Sequence, residues 1–124
     1  MKTGMNFFVC NTKPNDPNGY IFCSVTRELK RQIGSQSSIT LLDAANLRDF
    51  NHKIIDSVLI IYGGEELTKD IAKKSRDIFD ITVIWLTEDP YEIKRNVENS
   101  QYFDLVYTND TGSVNQYVEG SFLP

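Results

Sequence analysis

The chain has 124 residues, 40% of them apolar and 24% charged, with a net charge of -4 at pH 7. This length suits one domain, residues 1–124, with a sizeable core. The acidic balance argues against a protein that follows nucleic-acid phosphates, which needs a clustered basic face. No apolar run approaches the roughly 20 residues of a membrane helix, and the start is too short for a signal peptide. We therefore expect a cytoplasmic domain with no membrane span and no nucleic-acid partner.

Five apolar runs alternate with helical patterns along the chain. The predicted strands cover residues 6–10, 38–42, 57–62, 81–86 and 104–107. Runs this uniformly apolar are typical of strands covered on both faces. Strands that alternate with helices imply right-handed crossovers between parallel neighbours. The sequence therefore predicts an α/β fold, a three-layer Rossmann-like sandwich with a five-stranded parallel sheet in the order 3-2-1-4-5.

The helices are predicted from apolar stripes and end signals. The first has its stripe at positions 21, 22, 25, 29 and 33 and is closed by Gly34. Further helices are expected over residues 46–53 and 67–79. Asp89 and Glu92 have the spacing of a capping box, with Pro90 at the first helical position. A short last helix is expected to end at Gly120.

The residues after Gly120 resemble the entry to a sixth strand that does not arrive. The segment is SFLP, at 121–124. From this we expect a domain cut from a longer protein, or a shortened natural relative of one.

The cysteines and the histidine give no sign of a reactive or metal site. Cys10 and Cys23 fall in predicted buried elements, so we expect buried free thiols rather than a disulfide. His52 is the only histidine, and we expect it at the surface. No His, Cys and carboxylate spacing indicates zinc. We predict no metal and no cofactor, and we assign no catalytic residue.

Two loops that follow strands are candidates for ligand contacts, because ligands of open parallel sheets bind at the carboxyl ends of the strands. The polar loop at 11–19, which starts with Asn11, either holds a ligand or is a plain surface loop. It lacks the glycine pattern of dinucleotide folds and the P-loop motif. Gly63 and Gly64 either let a backbone approach a ligand or form a tight turn. The two glutamates after them would repel an anion.

Two acidic turns follow the fourth and fifth strands. Asp89 either caps the next helix or offers a carboxylate to substrate hydroxyls. Asp110 or Thr111 could cap the last helix, whereas capping does not explain Asn109. Ser113 completes the second turn. Functional and structural interpretations of these turns both stay open.

Two familiar folds of this length do not fit the loops. A phosphoacceptor receiver domain needs an acidic pair after the first strand and an aspartate at the end of the third. This chain has Asn11 and Thr12 at the first place, and Tyr62 and Gly63 at the second. A flavodoxin needs a Ser/Thr-rich and Gly-rich phosphate loop, which is not present.

The second half of the chain resembles the CgeB-like (spore maturation) glycosyltransferases, which are built on the two-domain GT-B plan. The matching segments are WLTEDP at 85–90 and FDLVYTNDTGSV at 103–114. In that family a tryptophan-bearing strand ends in an Asp-Pro turn. A later strand with a T-N-D end is followed by a Ser-Val helix and a downstream tyrosine, here Tyr117. The Leu-Pro pair at 123–124 also fits, and the resemblance covers about a third of the chain.

The resemblance implies that the chain is the N-terminal, acceptor-side half of a glycosyltransferase that moves a sugar from a nucleotide-sugar donor. The half that holds the donor is not part of this sequence, so the chain alone is expected to be inactive. Nucleotide-sugar and acceptor would be partners of the full enzyme. The expected contacts to sugar or acceptor hydroxyls come from seven residues: Asn11, Gly63, Gly64, Asp89, Asn109, Asp110 and Ser113.

The alternative is a stand-alone binding or regulatory module without catalysis on the same scaffold. It would hold its ligand or partner at the same edge or at an exposed sheet edge. A homodimer that covers the fifth strand would favour this alternative, because that edge would otherwise be exposed.

Overall fold

The computed structural model describes residues 4–11, 19–34, 36–63, 67–87, 91–117 and 120–122. The predicted α/β architecture is confirmed: a parallel sheet is flanked by helices. Its strands are β1 Asn6–Asn11, β2 Ser38–Asp43, β3 Ile54–Tyr62, β4 Phe79–Leu86, β5 Leu105–Thr108 and β6 Gly120–Phe122. The helices are α1 Gly19–Gln32, α2 Ala44–Asp49, α3 Lys69–Ile78, α4 Ile93–Ser100 and a 3₁₀ helix, Thr111–Gln116.

The predicted strand order was wrong. The sheet runs β2-β1-β3-β4-β5-β6, so β3 and β4 occupy the centre and β2 lies at an edge. The physical reason is burial: Ser38, Thr40 and Leu41 of β2 are exposed, whereas β3 is the longest strand and buried along its second half. The chain moves from β1 outward to β2 and then crosses back over β1 to β3. The winding direction therefore reverses between β1 and β3.

The predicted count of five strands was also wrong, because the described residues form six. Gly120–Phe122 pairs with β5 in parallel, with Val106 opposite Gly120. The strand has only three residues, too few for a periodic pattern. Gly120 is needed where it stands, because a Cβ there would lie 2.8 Å from Tyr117 Cβ and 2.9 Å from the Val114 carbonyl oxygen. The glycine that was predicted to end a helix instead starts a strand.

The helix boundaries differ from the expected ones in three places. Asp43 caps α2 with its carboxylate, while Asn46 reaches back to the Asp43 N–H, so this helix starts and ends earlier than predicted. Phe79 belongs to β4 rather than to α3. The predicted capping box includes Asp89 and Pro90, which lie outside the described residues; α4 itself begins at Ile93.

Two separate cores lie on the two faces of the sheet. On one face, side chains of α2, α3 and α4 pack on Leu59, Ile61 and Ile84, which are completely buried. On the other face, Leu29 of α1 packs with a cluster around Val9 and Tyr62. Because successive side chains of a strand alternate between faces, each inner strand contributes to both cores.

The face that α1 covers is open beyond β3. Ile81 and Leu105 are 40% and 46% exposed, and Val83 and Tyr107 on the same face are partly exposed. Register places Val83 next to Leu105, so the four side chains are contiguous. Among the helices in the described ranges, only α1 packs on this face. We call these four residues the open sheet face.

A bulge at the start of β3 is held by polar contacts from β4. The β3–β4 register shifts between Ile54 and Val58, and Asp56 adopts a positive φ of 55°. Its N–H donates to the Asp80 carboxylate at 2.7 Å. The ammonium of Lys53, 3.2 Å from Asp80, and this backbone N–H hold the pKa of Asp80 below its usual range. The bulge explains why β3 begins three residues before the predicted strand.

The two cysteines have different environments. Both are free, as predicted, but only Cys10 is buried; Cys23 on α1 is exposed, so its predicted burial was wrong. Burial, with a smaller effect of the Asp43 charge, raises the pKa of the Cys10 thiol to about 12. None of the helices in the described part of the chain is long and apolar enough to cross a membrane.

We expect N-ethylmaleimide to label Cys23 quickly, and Cys10 at least about a hundredfold more slowly, because Cys10 stays a buried thiol until the structure opens. Mass spectrometry of labelled peptides gives both rates, and Cys23→Ser removes the fast one. Equal labelling rates in the folded protein would contradict this assignment.

The raised pKa of the Cys10 thiol also makes the free energy of unfolding depend on pH. The contribution of this thiol is fully present below its unfolded pKa of about 8.5 and is lost as pH rises toward about 12.

Candidate functional site

The carboxyl ends of the strands form one edge of the sheet, and the described candidates lie along it. Asn11 ends β1, Gly63 follows β3, and Asn109 follows β5. Asn11 and Tyr62 are register partners, so the ends of β1 and β3 are side by side. This is where the winding direction reverses, the position at which open α/β sheets bind ligands. Gly64 and Asp89 lie outside the described residues.

Gly63 directly follows β3 and has a left-handed backbone conformation. It has a φ of 82°, a conformation that favours glycine, and it is buried. Its N–H donates to the Trp85 carbonyl oxygen at 2.8 Å. This bond extends the β3–β4 pairing by one residue at the carboxyl edge. Both predicted roles of Gly63, a tight turn and a close approach of a ligand to the backbone, stay predictions.

An aromatic pair borders the same edge. The rings of Tyr62 and Trp85 are 5.5 Å apart and nearly perpendicular, at 81°. Tyr62 is buried, whereas Trp85 is partly exposed near the carboxyl end of β4. Both lie on the α1 face, as does Asn11 by strand alternation. The edge therefore has a partly exposed indole, and the buried Tyr62 lies between it and Asn11, which is buried as well.

The second acidic turn is stabilised by hydrogen bonds of its own side chains and backbone. The Asn109 side-chain amide donates to the Thr87 carbonyl oxygen at 2.7 Å, and its N–H donates to the Leu86 carbonyl oxygen at 3.2 Å. The buried Ser113 hydroxyl donates to the Asp110 carboxylate at 2.6 Å. These contacts tie the end of β5 to that of β4 and brace the 3₁₀ helix. Sequence analysis missed the Asn109 contact, because its acceptor is on a distant segment.

Asp104, which precedes β5, also links β5 to β4 by hydrogen bonds. Its carboxylate accepts from the Thr82 N–H at 2.8 Å and from the Thr82 hydroxyl at 3.2 Å. The Asp104 N–H donates back to the Thr82 carbonyl oxygen at 3.0 Å. Thr82 is almost completely buried, so this pair sets the register of β4 and β5.

Arg95 is a polar residue near the edge that sequence analysis missed. It lies in the first turn of α4 and is partly buried, and its Nε is fully buried. Nη2 lies 3.5 Å from the Asn96 amide oxygen, at the limit of hydrogen-bond distance. Nothing in the structure accepts a hydrogen bond from Nε, the only such buried side-chain atom among the described residues. From the sequence alone, Arg95 is one more basic residue of a predicted helix.

No group of three His, Cys, Asp or Glu side chains that could hold a metal ion occurs within the described ranges. The prediction that the chain uses no metal stays a prediction. The groups at this edge are a glycine backbone, amides, an aromatic pair and one guanidinium, all of which can hydrogen-bond to or stack on a ligand.

We expect Asp110→Ala to destabilise the fold more than Asn109→Ala. Removing the carboxylate leaves the buried Ser113 hydroxyl without its acceptor, at a cost of about 1–3 kcal/mol. Asn109 is exposed, so water replaces its contact to Thr87 and the loss is about 1 kcal/mol or less. Urea unfolding of the two variants measures the difference. A larger loss for Asn109→Ala would show that its contact to Thr87 is the more important one.

Comparison with models of known families, with curated proteins and with solved structures finds no match to this chain. The resemblance to CgeB-like glycosyltransferases therefore stays a prediction.

Proposed function

We propose that this domain binds a sugar-bearing ligand at the carboxyl edge of its sheet, as the acceptor-side half of a GT-B glycosyltransferase of the CgeB-like kind. The chain alone binds and does not transfer. The observation that carries the proposal is the partly exposed Trp85, which packs on Tyr62 at the carboxyl edge, one strand from the point where the winding direction reverses. The motif residues around Trp85 also carry the sequence resemblance.

The chemistry of this edge suits a sugar. An indole offers a flat apolar surface to the C–H groups of a sugar ring, and an amide both donates to and accepts from hydroxyls. Gly63 has no side chain, so a ligand can approach the strand ends closely. The position matches the general location of ligands in open α/β sheets.

The contacts of Asn109, Asp110 and Ser113 within the chain narrow the proposed site. The Asn109 amide bonds to Thr87, and the Ser113 hydroxyl bonds to Asp110. We assign the ligand to the β1, β3 and β4 ends because the partly exposed Trp85 lies there. The assignment of Asp89 and Gly64 to the same site stays a proposal from the sequence.

Nuclear magnetic resonance tests the sugar proposal with one signal, because the chain has a single tryptophan. We expect the indole N–H signal of Trp85 to shift during titration with glucose, N-acetylglucosamine or UDP-glucose. Asn11→Ala should weaken the tightest of these interactions about tenfold, as loss of a buried hydrogen-bonding group does.

The matched control is Asn51→Ala, which removes an exposed asparagine before β3, at the opposite edge of the sheet. It should leave the titration unchanged. If the indole signal does not move with any of the three probes at about 20 mM, the proposed sugar site is wrong. An equal effect of both substitutions would also contradict the placement at Asn11.

The open sheet face favours a second candidate, an interaction module in which two copies of the chain meet through this face. Its four side chains, Ile81, Val83, Leu105 and Tyr107, carry no charge, so two copies can meet there without burying one. The rest of the protein has a net charge of -4, which opposes association elsewhere. Large exposed apolar patches mark interaction sites on soluble proteins.

Sedimentation equilibrium tests this second candidate. We expect reversible dimers at concentrations of about 10–100 µM, and Leu105→Lys should keep the chain monomeric. The matched control is Leu41→Lys, which makes the same change at a 57% exposed leucine on edge strand β2. A monomer at all these concentrations, or equal loss of dimer in both variants, would exclude the self-association.

A further inference from the structure

Strand β2 lies at an edge of the sheet and has open backbone groups. Its register pairs with β1 run without a break on one side, and no described strand pairs with its other side. The Ser38 N–H donates to the Met5 carbonyl oxygen at 3.2 Å, so the backbone groups of Ser38 point toward β1. Backbone groups alternate in direction along a strand. Those of Ile39 and Leu41 therefore point outward, away from the sheet.

This edge lacks three features that commonly protect an edge strand. Native proteins place proline, lysine or a bulge on exposed edges, because a row of free N–H and C=O groups is a template for strand pairing. The segment Ser38–Asp43 has no proline and no lysine, and its register with β1 is continuous. The outward N–H of Asp43 is bound by the Asn46 side chain. The N–H groups of Ile39 and Leu41 have no acceptor among the described residues.

A groove lies along the same edge on the α1 face. It has a volume of about 400 Å³, and its lining includes Lys30 of α1, Ile33 directly after α1, and Ile39 and Leu41 of β2. Ile39 is partly buried against the core of this face, and Leu41 is 57% exposed. The residues whose backbone groups point outward therefore also line the groove with their apolar side chains. Clefts of this volume are large enough to hold ligands.

The charge beside the groove is opposite to that of the chain. Three of the four charged residues of α1 are basic, whereas the whole chain has a net charge of -4. Arg31 pairs with Glu28, the acidic residue of the helix. Lys30 is the charged residue among those that line the groove, and no described carboxylate forms an ion pair with it. An acidic partner therefore complements this groove.

We propose that β2 and this groove bind an extended, acidic segment of another protein, which adds to the sheet as a further strand. Its backbone pairs with the outward N–H and C=O groups of Ile39 and Leu41, as in strand addition at other exposed edges. Its alternate side chains point to the α1 face. There, apolar side chains contact Ile39 and Leu41, and a carboxylate contacts Lys30.

The same charges disfavour a second copy of this chain as the occupant. Two copies that join symmetrically through β2 place their α1 helices on one face of the joined sheet. Both helices are positively charged, so they repel each other. An acidic segment of another protein meets no such repulsion.

Nuclear magnetic resonance of the full chain with a defined peptide tests the proposal. The probe is the peptide SVTETVS with blocked ends, in which both valines and the glutamate share one face of a strand. Its sequence is the same in both directions, so parallel and antiparallel addition present the same side chains. We expect shifts of the Ile39 and Leu41 amide signals, and nuclear Overhauser effects from these N–H groups to peptide backbone protons. Absence of both shifts at about 2 mM peptide overturns the proposal.

Fluorescence anisotropy of the labelled peptide tests the contact to Lys30. Lys30→Glu should weaken binding of SVTETVS about fivefold and should strengthen binding of SVTKTVS, in which lysine replaces the glutamate. The matched control is Lys94→Glu, which makes the same change at an exposed lysine of α4, on the opposite face of the sheet. It should change either affinity less than about twofold. Equal effects of the two substitutions would mean attraction by general charge only and would contradict the groove contact.

Leu41→Pro tests the backbone pairing. Proline has no N–H, and an edge strand tolerates it where that N–H points outward. Leu41→Pro should therefore keep β2 paired with β1 but bind SVTETVS about fivefold more weakly than Leu41→Ala, which loses the same side chain and keeps the N–H. Equal affinities of the two variants would overturn strand addition. If Leu41→Pro does not fold, the Overhauser effects at the wild-type Leu41 N–H still decide.

Two further results would also contradict the proposal. Shifts of the Ile39 and Leu41 amide signals that depend on protein concentration, without peptide, would assign this edge to a second copy of the chain. Peptide shifts at Trp85 without shifts in β2 would place the peptide at the carboxyl edge. The sugar site is assigned to the ends of β1, β3 and β4 and has its own signal in Trp85, so the two proposals are tested separately.

Discussion

Burial of β3 between β1 and β4 is the constraint on which the rest of the structure depends. Leu59 and Ile61 are completely inaccessible, and Cys10 and Ile84 on the flanking strands are equally buried. Because β3 pairs in parallel on both sides, its carboxyl end must meet those of β1 and β4 at one edge. The chain can then reach β3 from β2 only by crossing over β1. The reversal of winding between β1 and β3 is a consequence of how this strand is buried.

The two faces of the sheet are covered unequally, and this shapes the edge. Side chains of α2, α3 and α4 pack closely on one face. The other face has α1 alone among the described helices, which leaves Trp85 partly exposed and Ile81 and Leu105 open. The carboxyl edge therefore has a closely packed side and a more open side with a partly exposed indole.

Sequence patterns predicted the fold class and most strands, because apolar runs and helical stripes report burial directly. They did not predict strand order, since the pairing of strands depends on which strand has both faces and both edges covered. The three-residue β6 carries no periodic signal. In the site, local motifs located Asn11 and Gly63 at the edge, but the partners of Asn109 and Asp104 lie 22 residues away on β4 and beyond it. Arg95 was missed because an unmatched buried N–H is visible only in three dimensions.

The partial burial of edge strand β2 and helix α1 affects how readily these segments open. Their apolar side chains, among them Leu29, Ile33 and Ile39, are only partly buried, and β2 has one unpaired edge. Segments with so few buried contacts open at a lower free energy than the global unfolding of a domain. Hydrogen exchange in α1 and β2 should therefore outpace exchange in β3 and β4. Because β2 pairs with β1 next to Asn11, a ligand bound at that end would slow this local opening by mass action.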